Sequence, residues 1–289
     1  MFDALAVTVR ILANPISNAL QKRLMRAGAD ARGVIATTHA LLSLMLLPAV
    51  PFLASDLPSG RFLLIVGACA ALAVAGNAML VEALSTMDLS LVGPINAYKP
   101  IVSLIIAWVL IGETAGVGDL LGIGLITIGS WLIVVRQPGA TRRQTWRALL
   151  RDRGVRLRLG ALVLSALEAV VLKRALAEGS PMAVFVGWSL LGWPIAVATA
   201  RVGRRQRPTK EIEPGTWKLS VLLALSTGAM QSTTLLTFDR FAVGPALALF
   251  QLSSIVSVLL GRGLFREGHF RRRLLCSIVM ALGAILIVT

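Results

Sequence analysis

The sequence predicts an all-α polytopic membrane protein, with ten transmembrane helices in two inverted five-helix repeats. Three observations carry this. Of 289 residues, 56% are hydrophobic and the mean hydropathy is +0.79, more apolar surface than a water-soluble chain of this length hides. Apolar segments near twenty residues long recur throughout, each matching the roughly 30 Å hydrocarbon core at about 1.5 Å per residue. Features of the first half return in order in the second. The apolar segments are continuous and do not alternate, which excludes a barrel.

The spans run approximately 3–21, 34–54, 62–84, 91–111, 119–135, 159–177, 182–200, 217–237, 245–264 and 274–289. The first opens with "MFDALAVTVR"; Asp3 and the lack of a basic leader point to a helix that acts as its own insertion signal. It carries Arg10, Asn14 and Asn18 around Pro15, and Arg10 and Asn14 share a helical face. For Arg10, snorkelling to the outer headgroups competes with an interior place. Span three holds Asn77 and Glu82. Span five spaces Gly118, Gly122 and Gly129 for close helix packing. Span six holds Glu168. In span seven Trp188 and Trp193 face a cavity, the core or lipid; Gln231 and Gln251 follow in spans eight and nine.

The connection 136–158 is the longest and most basic, and it separates a first repeat at 1–135 from a second at 159–289. Within it "TRRQTWRALLRDRGVRLRL" has the pattern of a basic surface helix, with a solvated linker as the alternative. At an offset of 151, Lys22-Arg23 meets Lys173-Arg174, Gly28 meets Gly179, Ala78-Met79 meets Ala229-Met230, Asp88 meets Asp239 and Gly93-Pro94 meets Gly244-Pro245. At 154, Glu113 meets Glu267 and Gly129 meets Gly283. Glu113 and Glu267 read as helix-end residues beside water. An odd number of spans per half forces the halves to face opposite ways, a recurring plan of secondary transporters.

Charge sets the orientation. The connections 1–2, 5–6, 7–8 and 9–10 hold 23 of the 29 Lys and Arg, so this side is expected to be cytoplasmic, with both termini opposite. The net charge of +15 is loop charge of this kind, which argues against a nucleic-acid partner. Cys69 and Cys276 lie in apolar spans and His39 and His269 are isolated, so neither a disulfide framework nor a metal site is expected. No paired catalytic carboxylates, metal spacing or phosphate loop point to an enzyme or a nucleotide-driven pump, and no cofactor is expected.

Span four, "GPINAYKPIVSLIIAWVLIGE", holds the most telling residue. A lysine well inside a bilayer costs about 2.5 to 3.5 kcal/mol and turns to the bundle interior or to a partner. Pro100 deprives the Asn96 carbonyl of its helical donor, leaving Asn96, Tyr98 and Lys99 as a polar patch. Depth matching places Lys99 about 12 Å and Glu168 about 13 Å from the cytoplasmic side. Asn77 is level with them. Glu168 is thus the expected partner of Lys99, with Glu82 as the alternative. Either the pair fixes helix packing, or it faces a substrate cavity lined also by Tyr98, Asn96, Asn77, Asn14 and Gln251.

The Gly-Pro opening of span four, Glu113 at its exit, the span "GIGLITIGSWLIV" and the second-half "FREGHF…GAILIV" resemble the drug/metabolite transporter superfamily, and within it the EamA-like family. The resemblance implies ten helices, a central cavity between two halves and alternating access in a cell membrane, inner or plasma. The cargo is then a small metabolite, with protons as a candidate coupling ion. A flippase for a lipid-linked sugar or another amphiphile is the alternative. Several members of the superfamily keep both ends cytoplasmic, opposite to the charge bias here.

Overall fold

A computed structural model of the chain describes residues 2–53, 59–86, 89, 95–96, 98–112, 116–135, 151–204, 215–266 and 270–286. Asp88, Gly93-Pro94, Glu113, Glu267, His269 and the surface-helix stretch 136–150 lie outside the described residues. The elements are helices: α1 (Phe2–Arg26), α2 (Ala31–Leu46) running into a 3-10 stretch (Leu47–Leu53), α3 (Gly60–Thr86), α4 (Lys99–Ile111), α5 (Val117–Val135), α6 (Arg153–Leu176), α7 (Pro181–Arg204), α8 (Thr216–Arg240), α9 (Val243–Phe250), α10 (Ser253–Phe265) and α11 (Phe270–Leu286). No strand occurs among the described residues.

Among the described residues, five segments are long and apolar enough to cross a membrane: Ala31–Leu53, Gly60–Thr86, Pro181–Arg201, Thr216–Arg240 and Val243–Phe265. The chain is therefore a multi-pass membrane protein whose regular elements, among the described residues, are all helices. α1 and α6 match these in length, at 25 and 24 residues, but carry polar stripes. In α1, Arg10, Ser17, Asn18 and Gln21 are buried while Leu5, Leu12 and Ile16 are exposed. This is the reverse of a soluble amphipathic helix: apolar side chains face out and polar ones face in. Exposed Leu64, Trp108, Val109 and Trp217 extend the apolar exterior over other helices.

Local chemistry sets the element ends. Asp30 caps α2, its carboxylate accepting from Arg32 N (3.0 Å) and Gly33 N (3.1 Å). Pro48 and Pro51 lack N–H donors, and α2 passes into 3-10 geometry around them. Asp152 caps α6 through Val155 N at 2.9 Å. α4 ends on Gly112, whose φ of 72° only glycine adopts freely.

Two features depart from the sequence reading. Lys99 is the first residue of α4, not a residue inside a continuous helix over 91–111. Pro100 sits in the first turn, where a missing N–H leaves no hydrogen bond unmade. α6 begins at Arg153, almost two turns before the expected 159, because Asp152 caps it and the basic residues that follow are good helix formers. Arg158, counted above as a connection charge, is thereby drawn inside a helix.

α1 packs on α8, α2 on α7, α3 on α6 and α7, α4 on α6 and α9, α5 on α11, and α10 on α1 and α11. The main core joins α3, α6, α7, α8 and α9 through Val66, Cys69, Ala70, Ala169, Val184 and Leu235. The α5–α11 contact is backbone-close: a Cβ on Gly283 would lie 2.7 Å from Gly122 O, and one on Gly129 3.1 Å from Cys276 O.

Candidate functional site

α1, α3, α4, α6, α7, α8 and α9, with Gln251 and Ser253 beyond it, surround an interior cavity of about 100 Å³. Its polar lining follows from helical spacing. On α1, Arg10, Asn14 and Asn18 are four apart and fall on one face. On α6, Arg158, Ala161, Ser165, Glu168 and Leu172 form one stripe. Asn77 comes from α3, Gln231 and Thr234 from α8. Asn96 and Lys99 enter where the chain turns into α4, and Gln251 and Ser253 where α9 breaks before α10.

Hydrogen bonds fix several of these groups. Arg10 Nε donates to Thr234 Oγ1 at 2.6 Å, and its guanidinium lies 4.7 Å from the Phe250 ring centroid. Arg158 Nη2 donates to Asn96 Oδ1 at 2.6 Å. Asn14 Nδ2 donates weakly to Ser253 Oγ at 3.4 Å. Gln251 Nε2 donates to Leu247 O at 3.2 Å, closing the end of α9. Buried polar atoms nonetheless remain without a hydrogen-bond partner, among them Arg10 Nη1, Arg158 Nε, Gln231 Nε2 and Gln251 Oε1. Such atoms are costly in a protein interior unless a ligand or water meets them. Lys99 lies within electrostatic reach of Glu168, Arg10 and Arg158. An adjoining space of about 30 Å³ continues past Ser17, Gln21, His39 and Thr227.

Of the sequence candidates, Lys99, Asn96, Asn77, Glu168, Asn14 and Gln251 line the cavity. Tyr98 is outside the lining; it is the half-buried residue preceding α4, and its backbone rather than its ring starts the helix. Glu82, the alternative partner of Lys99, is instead bound by Arg153 at 2.6 Å, because α6 starts early enough to bring that arginine beside α3. Arg10 does not snorkel to the headgroups: it is 9% exposed and bonded inside. Trp188 lines the cavity, whereas Trp193 is exposed. Arg158 was not singled out from sequence. Its place on the Arg158–Ser165–Glu168 stripe is the signal that finds it.

Residues 16–135 match the model of the EamA-like transporter family. This segment is EamA-like. The EamA-like segment spans most of α1 to the end of α5 and supplies Asn18, Asn77, Asn96 and Lys99 to the cavity. That family belongs to the drug/metabolite transporter superfamily. A solved crystal structure superposes over 98% of this chain and 96% of its own with a TM-score of 0.70 at 14% identity, a likeness of fold. No curated protein matches the chain.

Proposed function

We propose that the protein is a secondary transporter, a carrier or exporter of a small metabolite, that works by alternating access between two inverted five-helix halves in a cell membrane. One observation carries this reading: an interior polar cavity lined from both halves of the chain, inside helices whose outer faces are apolar. Irregular backbone at membrane depth is tolerated where it lines such a cavity, and both breaks, before Lys99 and before Ser253, open onto it.

The helix contacts support a two-fold relation between halves. With ten spans in two sets of five, exchanging the halves turns the α1–α8 contact into the α6–α3 contact, and leaves α2–α7 and α5–α11 as self-related pairs. α4 and α10 are both 13 residues long, start 154 apart, and end at left-handed residues, Gly112 and Arg266. Rocking of one half against the other about the cavity follows from this arrangement. Glu168 is the one carboxylate in the cavity lining among the described residues, and so the group a coupling proton would use.

The test is uptake into proteoliposomes across a metabolite panel, with and without a pH gradient, for wild type and Lys99→Met. Gradient-driven uptake of one compound class by wild type, lost in Lys99→Met, is expected. Uptake equal in both would remove Lys99 from the mechanism, and passage of lipid-linked sugars alone would replace the metabolite carrier with a flippase.

A further inference from the structure

The cavity is charged unevenly. Arg10, Lys99 and Arg158 line it against one carboxylate, Glu168. Glu168 interacts electrostatically with Lys99 and with Arg10, and Arg10 also holds Thr234, so the deep end is partly balanced. The other end is not. Arg158 stands ten residues from Glu168 on α6, about 15 Å along the axis. Its hydrogen-bond acceptor is the neutral Asn96 carboxamide, and its buried Nε has no partner. Lys99 feels Glu168 as an opposite charge and, less strongly, Arg158 as a like charge.

Three inward cations that share one carboxylate leave a net positive charge, which is costly to keep in a membrane interior and complementary to a ligand carrying two negative charges. We propose that Lys99 and Arg158 bind a dianionic group of the cargo, a phosphate monoester or a pair of carboxylates, with Asn96 holding the guanidinium in place. The guanidinium fork suits planar or tetrahedral oxyanions, and Lys99 supplies a point charge from α4, which packs on α6. This inference rests on the transporter reading of the cavity and names its cargo class. A soluble metabolite and a phosphorylated lipid headgroup share the chemistry, and the test separates them.

Thermal unfolding of the purified full-length protein in detergent is measured with inorganic phosphate or succinate, against glycerol and choline chloride at matched ionic strength, and with phosphatidate against phosphatidylcholine. Saturable stabilisation by phosphate or succinate but not by glycerol or choline is expected. Arg158→Gln and Lys99→Gln should weaken it roughly 10- to 100-fold, from the worth of hydrogen bonds to charged groups. Arg158→Lys should weaken it less, and Arg61→Gln, on the exposed side of an ion pair with Glu178, should leave it unchanged. Size exclusion checks folding, and should Arg158→Gln not fold, Arg158→Lys and Lys99→Gln decide. Stabilisation by phosphatidate alone keeps the dianion site and makes its source a lipid. Absence of stabilisation by any of the anions, or stabilisation indifferent to both positions, overturns the proposal. Anion binding without passage into proteoliposomes would retain the site and refute transport. Uptake of a neutral cargo not competed by phosphate or succinate would do the reverse.

Discussion

At the scale of single residues, charges in this protein divide by what surrounds them. Glu82 and Arg153 form a 2.6 Å pair that stays partly open to solvent, with Arg153 66% exposed. Such pairs contribute little, so Arg153→Gln should shift unfolding stability by less than about 1 kcal/mol in a thermal melt and leave uptake unchanged. Glu168 is different: it is buried and shares its cavity with three cations. Glu168→Gln keeps the shape and removes the ionisable oxygen. Under the proton-coupling proposal, uptake by this variant should be the same with and without a pH gradient. A variant that still concentrates cargo on imposing the gradient would exclude Glu168 as the proton carrier. Depth counting along the helices put Lys99, Asn77 and Glu168 on one level, and all three line the cavity. It missed Arg158, because an arginine at the end of a basic run looks like loop charge until the helix start is known.

At the scale of elements, small residues and helix breaks govern how the halves meet. The Gly122, Gly129 and Gly283 contacts leave no room for a side chain between α5 and α11. Gly283→Val forces its Cβ against Gly122 O and Ile126 N, both backbone, at 2.7 and 3.0 Å. The helices must part, at a cost of roughly 1–3 kcal/mol, readable as a lowered melting temperature. Gly124, on the same helix α5, has nothing within 4 Å of its Cβ position. Gly124→Ala should therefore be neutral, or stabilise by up to about 1 kcal/mol. Equal damage from both substitutions would contradict the close α5–α11 contact. The glycine spacing of span five was readable as packing from sequence alone, but its partner helix was not. The break before α4 was misplaced from sequence for a related reason. A proline in an apolar run looks the same whether it interrupts a helix or begins one, and only the chain path before Lys99 distinguishes them.

At the scale of the whole molecule, the basic connections are expected to share one side of the membrane. Single cysteines test this against a quiet background, since the native Cys69 and Cys276 are both buried. In sealed vesicles Thr145→Cys should react with a membrane-impermeant maleimide only from the cytoplasmic face, and Ser59→Cys only from the opposite one. Labelling in the reverse sense would overturn the orientation while leaving the fold intact. The same experiment bears on the inverted repeat, because Ser59 and Arg204 lie in matching connections of the two halves and must appear on opposite sides.

What the sequence determined by itself was the solvent and the helical class: apolar runs of bilayer length are local, additive properties of the chain. Which polar groups share one interior was decided by the tertiary structure alone. Burial of Arg10 beside Thr234, of Arg158 beside Asn96, and the withdrawal of Glu82 to Arg153 all depend on which helix faces pack together. Helix rotation is set by the sum of many weak side-chain contacts, and no single stretch of sequence contains that sum.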